Sequence, residues 1–236
     1  MDPCYVVSDL HLFSRRTLAE DHLAPLQDTI EHASTMVFAG DIIDFRWSAL
    51  GSQAATLAAG RKWLEDCLAV NPRCQFHYVL GNHDYHNDWI GELESLADRT
   101  EQLTWNPYHL RIGKALFVHG DAADPKMTPD RLAASRKRFA AHTAPALWKH
   151  RAYDATVAAR LHVAAARAWY PDWVVLKRLH RYVNTLEPAL ERGLKRVYFG
   201  HTHRAVNGQA YGGLRFHNGG APMPGMAFEI LRAELS

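Results

Sequence analysis

The sequence predicts an α/β protein, built on a mixed sheet or a pair of packed sheets with helices outside. Short β-branched and aromatic runs alternate with longer stretches of helical periodicity in the first part of the chain. Short strand-like runs follow one another late. Apolar runs also end repeatedly in Asp, Asn or His beside or near a glycine, and ligands bind at the carboxyl ends of strands in such folds.

Tyr5-Val6-Val7 reads as a buried first strand ending at Ser8-Asp9. Leu18, Leu23, Leu26 and Ile30 recur at roughly helical spacing and predict a helix between Leu18 and Ala33. Thr35 to Ala39 is a second strand, stopped by Gly40-Asp41. Ala54 to Val70 is rich in alanine and leucine and lacks proline, so it reads as helix, closed by Pro72. Gln75 to Leu80 is a third strand before Gly81, and residues 88–99 suit a short helix. Leu110-Arg111-Ile112 and Ala115 to Val118 flank Gly113-Lys114, a two-residue hairpin turn. Arg196 to Phe199 is a strand, and strands are expected at Ala205–Tyr211, Leu214–His217 and Met226–Leu231.

Between residues 122 and 194 the texture changes to Ala, Arg, His and Trp with helical periodicity. This segment carries a net charge of +7 against +2 for the whole chain, leaving −5 elsewhere. We therefore expect a core formed by residues 1–121 and 195–236, and a helical cap insertion at 122–194. The modest total charge makes a nucleic-acid partner unexpected. Cys4, Cys67 and Cys74 form no CxxC and suggest structural thiols in a reducing cytosol. Neither a signal peptide nor a membrane-spanning run is expected.

Five clusters carry the chemistry: Asp9-Leu10-His11, Gly40-Asp41-Ile42-Ile43-Asp44, Gly81-Asn82-His83-Asp84, His119-Gly120-Asp121 and Gly200-His201-Thr202-His203. Any one alone is a commonplace turn. Together, each after an apolar run, they predict one polynuclear metal site. Its ligands would be hard or borderline, with one carboxylate able to bridge two cations. Asp9 with His11, and His201 with His203, each project from one strand end. Asp41 suits the bridge, Asn82 offers a carbonyl oxygen and His119 an imidazole.

In this order the motifs resemble the calcineurin-like metallophosphoesterases. The resemblance implies a four-layer αββα sandwich and two divalent ions, most commonly manganese, with iron, zinc or magnesium possible. One ion would be held by Asp9, His11, Asp41 and His203, the other by Asp41, Asn82, His119 and His201. It implies phosphoester or pyrophosphate hydrolysis by a hydroxide bridging the ions. His83 would face the scissile phosphate, Asp84 would orient it, and Asp44 would stand behind the ligands.

The basic helical segment between the HGD and the GHTHR also resembles that of UDP-2,3-diacylglucosamine diphosphatases of lipid A synthesis. That likeness implies a nucleotide-lipid substrate and a cytoplasmic protein touching the membrane surface through its cap. Arg160, Lys177, Arg181 and Arg204 are candidate substrate-binding cations. The competing expectations are a cytosolic phosphatase or phosphodiesterase for a small soluble phosphate or nucleotide, and a non-catalytic scaffold of the same fold.

Overall fold

The computed structural model describes residues 3–140, 147–186 and 192–236. The chain begins β1 (Cys4–Val7), α1 (Glu20–His32), β2 (Thr35–Ala39), α2 (Gln53–Val70), β3 (Gln75–Val79) and α3 (Asn87–Ala97). It continues with β4 (Leu103–Asn106), β5 (His109–Ile112) and β6 (Ala115–Val118), then a single 3₁₀ turn at Gly120–Ala123. Four helices follow: α4 (Pro129–Ala140), α5 (Leu147–Ala158), α6 (Leu161–Trp169) and α7 (Asp172–Val183). The chain closes with β7 (Arg196–Phe199), β8 (Val206–Tyr211), β9 (Leu214–Asn218) and β10 (Leu231–Ala233).

Two five-stranded mixed sheets result, ordered β10-β1-β2-β3-β4 and β5-β6-β7-β9-β8. In the first, β1 to β4 are parallel and β10 adds antiparallel to β1. In the second, β6, β7 and β9 are parallel, with β5 and β8 antiparallel at the edges. The central strands read as continuous apolar runs because both faces are covered. Val6, Val37, Ala39 and Val79 of the first sheet meet Ala115, Phe117 and Tyr198 of the second in the seam.

The outer face of the first sheet packs on Leu26 and Ile30 of α1, Leu64 and Leu68 of α2, and Trp89 and Leu93 of α3. The outer face of the second packs on Leu132 of α4 and on Val175, Leu176, Leu179 and Val183 of α7. The order of layers is αββα, as the resemblance implied. Helices α5 and α6 lie outside this sandwich's main clusters and expose Trp148, Leu161 and Trp169.

The hairpin at Gly113-Lys114 forms as expected, pairing Ile112 with Ala115. Strand β4 was not anticipated: it is an edge strand in which only Leu103 is fully buried, so its apolar signal is weak. The last strand starts later than Met226–Leu231 suggested. Phe228 makes only an isolated bridge to Gly220, and regular pairing begins at Leu231. Among the described residues, no helix is long and apolar enough to cross a membrane.

Candidate metal centre

All five clusters sit in loops at the carboxyl ends of β1, β2, β3, β6 and β7, and they converge at the seam between the sheets. The first sheet brings Asp9, His11, Asp41, Asn82 and His83. The second brings His119, His201 and His203. The first two loops stay in register beyond their strands, with Asp9 N donating to Gly40 O at 3.0 Å and His11 N to Asp41 O at 2.9 Å. Asp9, His11, Asp41, His201 and His203 all adopt positive φ, between 46° and 68°. This conformation costs a non-glycine residue roughly 1–2 kcal/mol and turns successive side chains toward one point. Gly81 has a separate reason: a Cβ there would run into the carboxylate and backbone nitrogen of Asp41.

Ligand atoms of Asp9, His11 and His203 lie within 4.8 Å of one another, as do those of Asp41, His119 and His201. Asp41 Oδ2 stands 3.2 Å from His119 Nε2 and 3.9 Å from His11 Nε2, between the two groups. Asn82 Oδ1 lies 2.9 Å from His201 Nδ1 and 3.2 Å from His119 Nε2. His11 Nε2 and His203 Nε2 are 3.1 Å apart. Asp9 and His119 are 0% exposed and Asp41 1%. Asp9 Oδ1 accepts from His201 N at 2.8 Å, but its buried Oδ2 has no hydrogen-bond partner among the described residues. An orphaned carboxylate oxygen beside converging imidazole nitrogens is costly without a cation. The donor set of carboxylate, amide oxygen and imidazole fits divalent ions. A third group, His11, Asp41 and His83, also meets the 4.8 Å spacing, so spacing alone leaves His83 as a possible donor.

Burial raises the Asp9 carboxyl above its ordinary value. Burial would do the same to Asp41, but His119, His83 and His11 hold it well below the carboxylate range. Burial and the nearby imidazoles of His11 and His201 hold His203 well below its ordinary value, favouring the neutral ring with one nitrogen lone pair available. Burial opposes charge on His83, yet Asp44 and Asp41 push it up to about 9.

The carboxylate that orients His83 is Asp44: its Oδ1 takes a hydrogen bond from His83 Nδ1 at 2.9 Å. Asp44 also accepts from Trp47 N at 2.8 Å. This corrects the expectation for Asp84. Its buried carboxylate instead accepts from Tyr78 Oη at 2.8 Å, Ile42 N at 3.0 Å and the backbone N of Gly81. It locks two ligand loops together, and its hydrogen bonds go to these groups rather than to His83. Adjacency in sequence suggested the wrong partner, because the fold brings Asp44 from the neighbouring loop to His83 and engages Asp84 with Tyr78 and two backbone amides.

Several supporting residues had no sequence signal. Arg136 of α4 is wholly buried and grips both Asp121 oxygens, at 2.6 and 2.9 Å, and Leu80 O at 2.7 Å. It bolts the turn after His119 to the end of β3. Tyr170 Oη donates to Asp124 Oδ1 at 2.9 Å and lies 3.3 Å from His201 Nε2. Asn218 Nδ2 donates to Gly200 O and Thr202 Oγ1, bracing the GHTH turn.

The candidate substrate cations scatter. Arg204 is committed to Tyr170 O at 2.9 Å and to the Asp172 carboxylate, tying the start of α7 to the GHTH turn. Arg160, at φ 54°, packs near Gly225 after α5. Lys177 and Arg181 line a groove of ≈ 620 Å³ with Lys126, Trp173 and Arg178, and none of the metal-cluster residues lines it. The segment 122–194, expected to form a cap, includes residues 141–146 and 187–191, which lie outside the described residues.

The family model for calcineurin-like phosphoesterases matches residues 3–205. The chain belongs to that family. No curated protein matches the chain significantly. Members of the calcineurin-like phosphoesterase family are generally dinuclear metal hydrolases, and this member has the buried Asp and His groups such chemistry needs.

Proposed function

We propose that this calcineurin-like phosphoesterase uses Asp9, His11, Asp41 and His203 for one divalent ion and Asp41, Asn82, His119 and His201 for a second. The observation carrying this reading is the buried Asp41 carboxylate, set between two donor groups drawn from different strands. When bound, such ions supply Lewis acidity and make water nucleophilic at neutral pH. Manganese is the favoured metal, with iron, zinc or magnesium compatible with the same donors. His83 is the acid of the reaction rather than a ligand. Asp44 holds its Nδ1, which leaves Nε2 to carry a proton to the departing oxygen. Asp84 and Arg136 keep the ligand loops still while this happens.

For the substrate, a nucleotide-linked lipid of the UDP-diacylglucosamine type is one reading. Exposed Trp148, Leu161 and Trp169 on α5 and α6, and exposed Trp173 of α7 in one groove with Lys177, Arg178 and Arg181, support docking against an anionic cytoplasmic membrane face. On this reading residues 122–194 act as a cap, with α5 and α6 its overhanging part. The second reading is a small soluble phosphate or nucleotide, favoured by the modest ≈ 300 Å³ of the cavity against His201 and His203. A manganese-supplemented panel of UDP-diacylglucosamine, a UDP-sugar and nitrophenyl esters separates them. Preference for the acylated compound supports the lipid reading, and equal or better turnover of the short compounds overturns it. Inactivity of manganese-loaded protein on every member would instead favour a scaffold.

A further inference from the structure

The cavity beside His83 has a second cationic wall that the metal chemistry does not use. Arg16 follows the Asp9-Leu10-His11 cluster in the loop before α1, yet it is only 5% exposed. Its Nε forms an ion pair with Asp154 of α5 at 2.8 Å. The guanidinium carbon lies 4.4 Å from the ring centroid of Tyr153 and 4.9 Å from that of Trp47, and these two rings are themselves 5.2 Å apart. Arg16 thus lies against two aromatic faces and is fixed by a carboxylate from another element. This is an arrangement that preorganises a cation for a planar or tetrahedral anion.

Arg16, His83, His11, His203 and Asp44 line one cavity of ≈ 30 Å³. Within it the Asp44 carboxylate is already engaged by His83 and Trp47 N. Arg46 places a second positive charge near Trp47 of the cavity wall, its guanidinium carbon 5.5 Å from the ring centroid. A cavity of this size takes one or two oxygen atoms rather than a whole ligand. It lies on the side of His83, the side of the departing group if His83 is the proton donor.

We propose that Arg16 is a substrate-binding residue that receives an oxygen of a second anionic group, carried on the leaving portion of the substrate next to the scissile bond. The anion can be a phosphate, as in a phosphoanhydride, or a carboxylate, as in a phosphorylated hydroxy acid. This rests on the assignment of His83 as the proton donor.

The test compares ethyl phosphate, 2-phosphoglycolate and methyl diphosphate with manganese-loaded wild type, Arg16→Met and Arg16→Lys. Wild type should prefer one of the two anionic compounds to ethyl phosphate, and whichever it prefers identifies the anion. Arg16→Met should cut kcat/KM for that compound about ten- to a hundred-fold more than it cuts kcat/KM for ethyl phosphate, mainly through KM. Arg16→Lys should restore part of the loss. Asp154→Asn, which leaves Arg16 in place, should raise the same KM more mildly and covers the case in which Arg16→Met does not fold. Equal losses on all three compounds, or no preference in wild type, would overturn the proposal. Calorimetric binding of phosphonoacetate against ethylphosphonate separates this idea from the hydrolase reading. Arg16-dependent preference for phosphonoacetate in an inactive protein sinks the hydrolase and keeps the anion site.

Discussion

Replacing His83 with alanine tests the division of labour at the centre most directly. Its Nδ1 is held by Asp44 at 2.9 Å, and the ring is pushed from 6.5 up to about 9 by Asp44 and Asp41 although burial opposes the charge. Asp44 lies outside the proposed ligand set and holds the ring whether or not ions are bound, which suits His83 to carry a proton. His83→Ala should lower kcat by roughly two to four orders of magnitude on a substrate with a poor leaving group, the usual scale for a general acid. A nitrophenyl ester, whose leaving oxygen needs little protonation, should suffer much less. Some stability should be lost too, because the Asp44 carboxylate, 2% exposed, gives up its His83 partner and keeps only Trp47 N at 2.8 Å and His11 Nδ1 at 3.4 Å, so folding of the variant is checked by urea unfolding. The assay is steady-state turnover of a matched alkyl and nitrophenyl pair, with metal content measured on the same protein. Equal losses on both substrates, or loss of one ion from the variant, would refute the reasoning, the second by making His83 a ligand.

Three further outcomes are expected. Excess chelator should abolish hydrolysis and lower the melting temperature, since each site filled at a hundredfold its Kd adds about 2.7 kcal/mol; activity persisting in chelator would exclude metal catalysis. Arg136→Met should destabilise the protein by about 3–5 kcal/mol in urea unfolding, because the Asp121 carboxylate, 5% exposed, loses its partner; adding Asp121→Leu should recover much of this, and no recovery would mean that packing rather than the ion pair is lost. Burial pushes the thiols of Cys4 and Cys67 up to about 12 and that of Cys74 up to about 11. They should therefore resist a thiol reagent at pH 8 until the chain is unfolded. Because the raised values belong to the folded state, the associated stability is intact below the unfolded thiol value near 9.0 and is lost as pH rises beyond it. A urea midpoint that does not fall between pH 8 and pH 10 would contradict this.

Much of the fold was legible because a strand buried on both faces, such as Thr35–Ala39, is a continuous apolar run that turn residues can only end. The edge strand β4 and the displaced β10 were not, since edges lack that signal. The candidate ligands were readable because metal donors are chemically conspicuous and lie near strand ends. Their supports were not. Arg136 is one arginine among many in a basic helical stretch, and nothing local marks it as the partner of Asp121 fifteen residues away. Asp44 and Asp84 are both Asp residues close to a ligand, and only the direction of each turn decides which of them meets His83.

The donors divide between two sheets, and the spacing of the sheets is therefore a ruler for the site. Asp41 follows β2 and His119 follows β6, and the small residues Ala39 and Ala115 of those strands lie in the seam. His119 Nδ1 even reaches across to Ala39 O at 3.2 Å. Enlarging either alanine would act at a distance, prying apart the two halves of the donor set while every donor remained in the sequence. On the proposed ligand set, metal preference would be tunable from the dry interior, through the calibre of side chains outside that set.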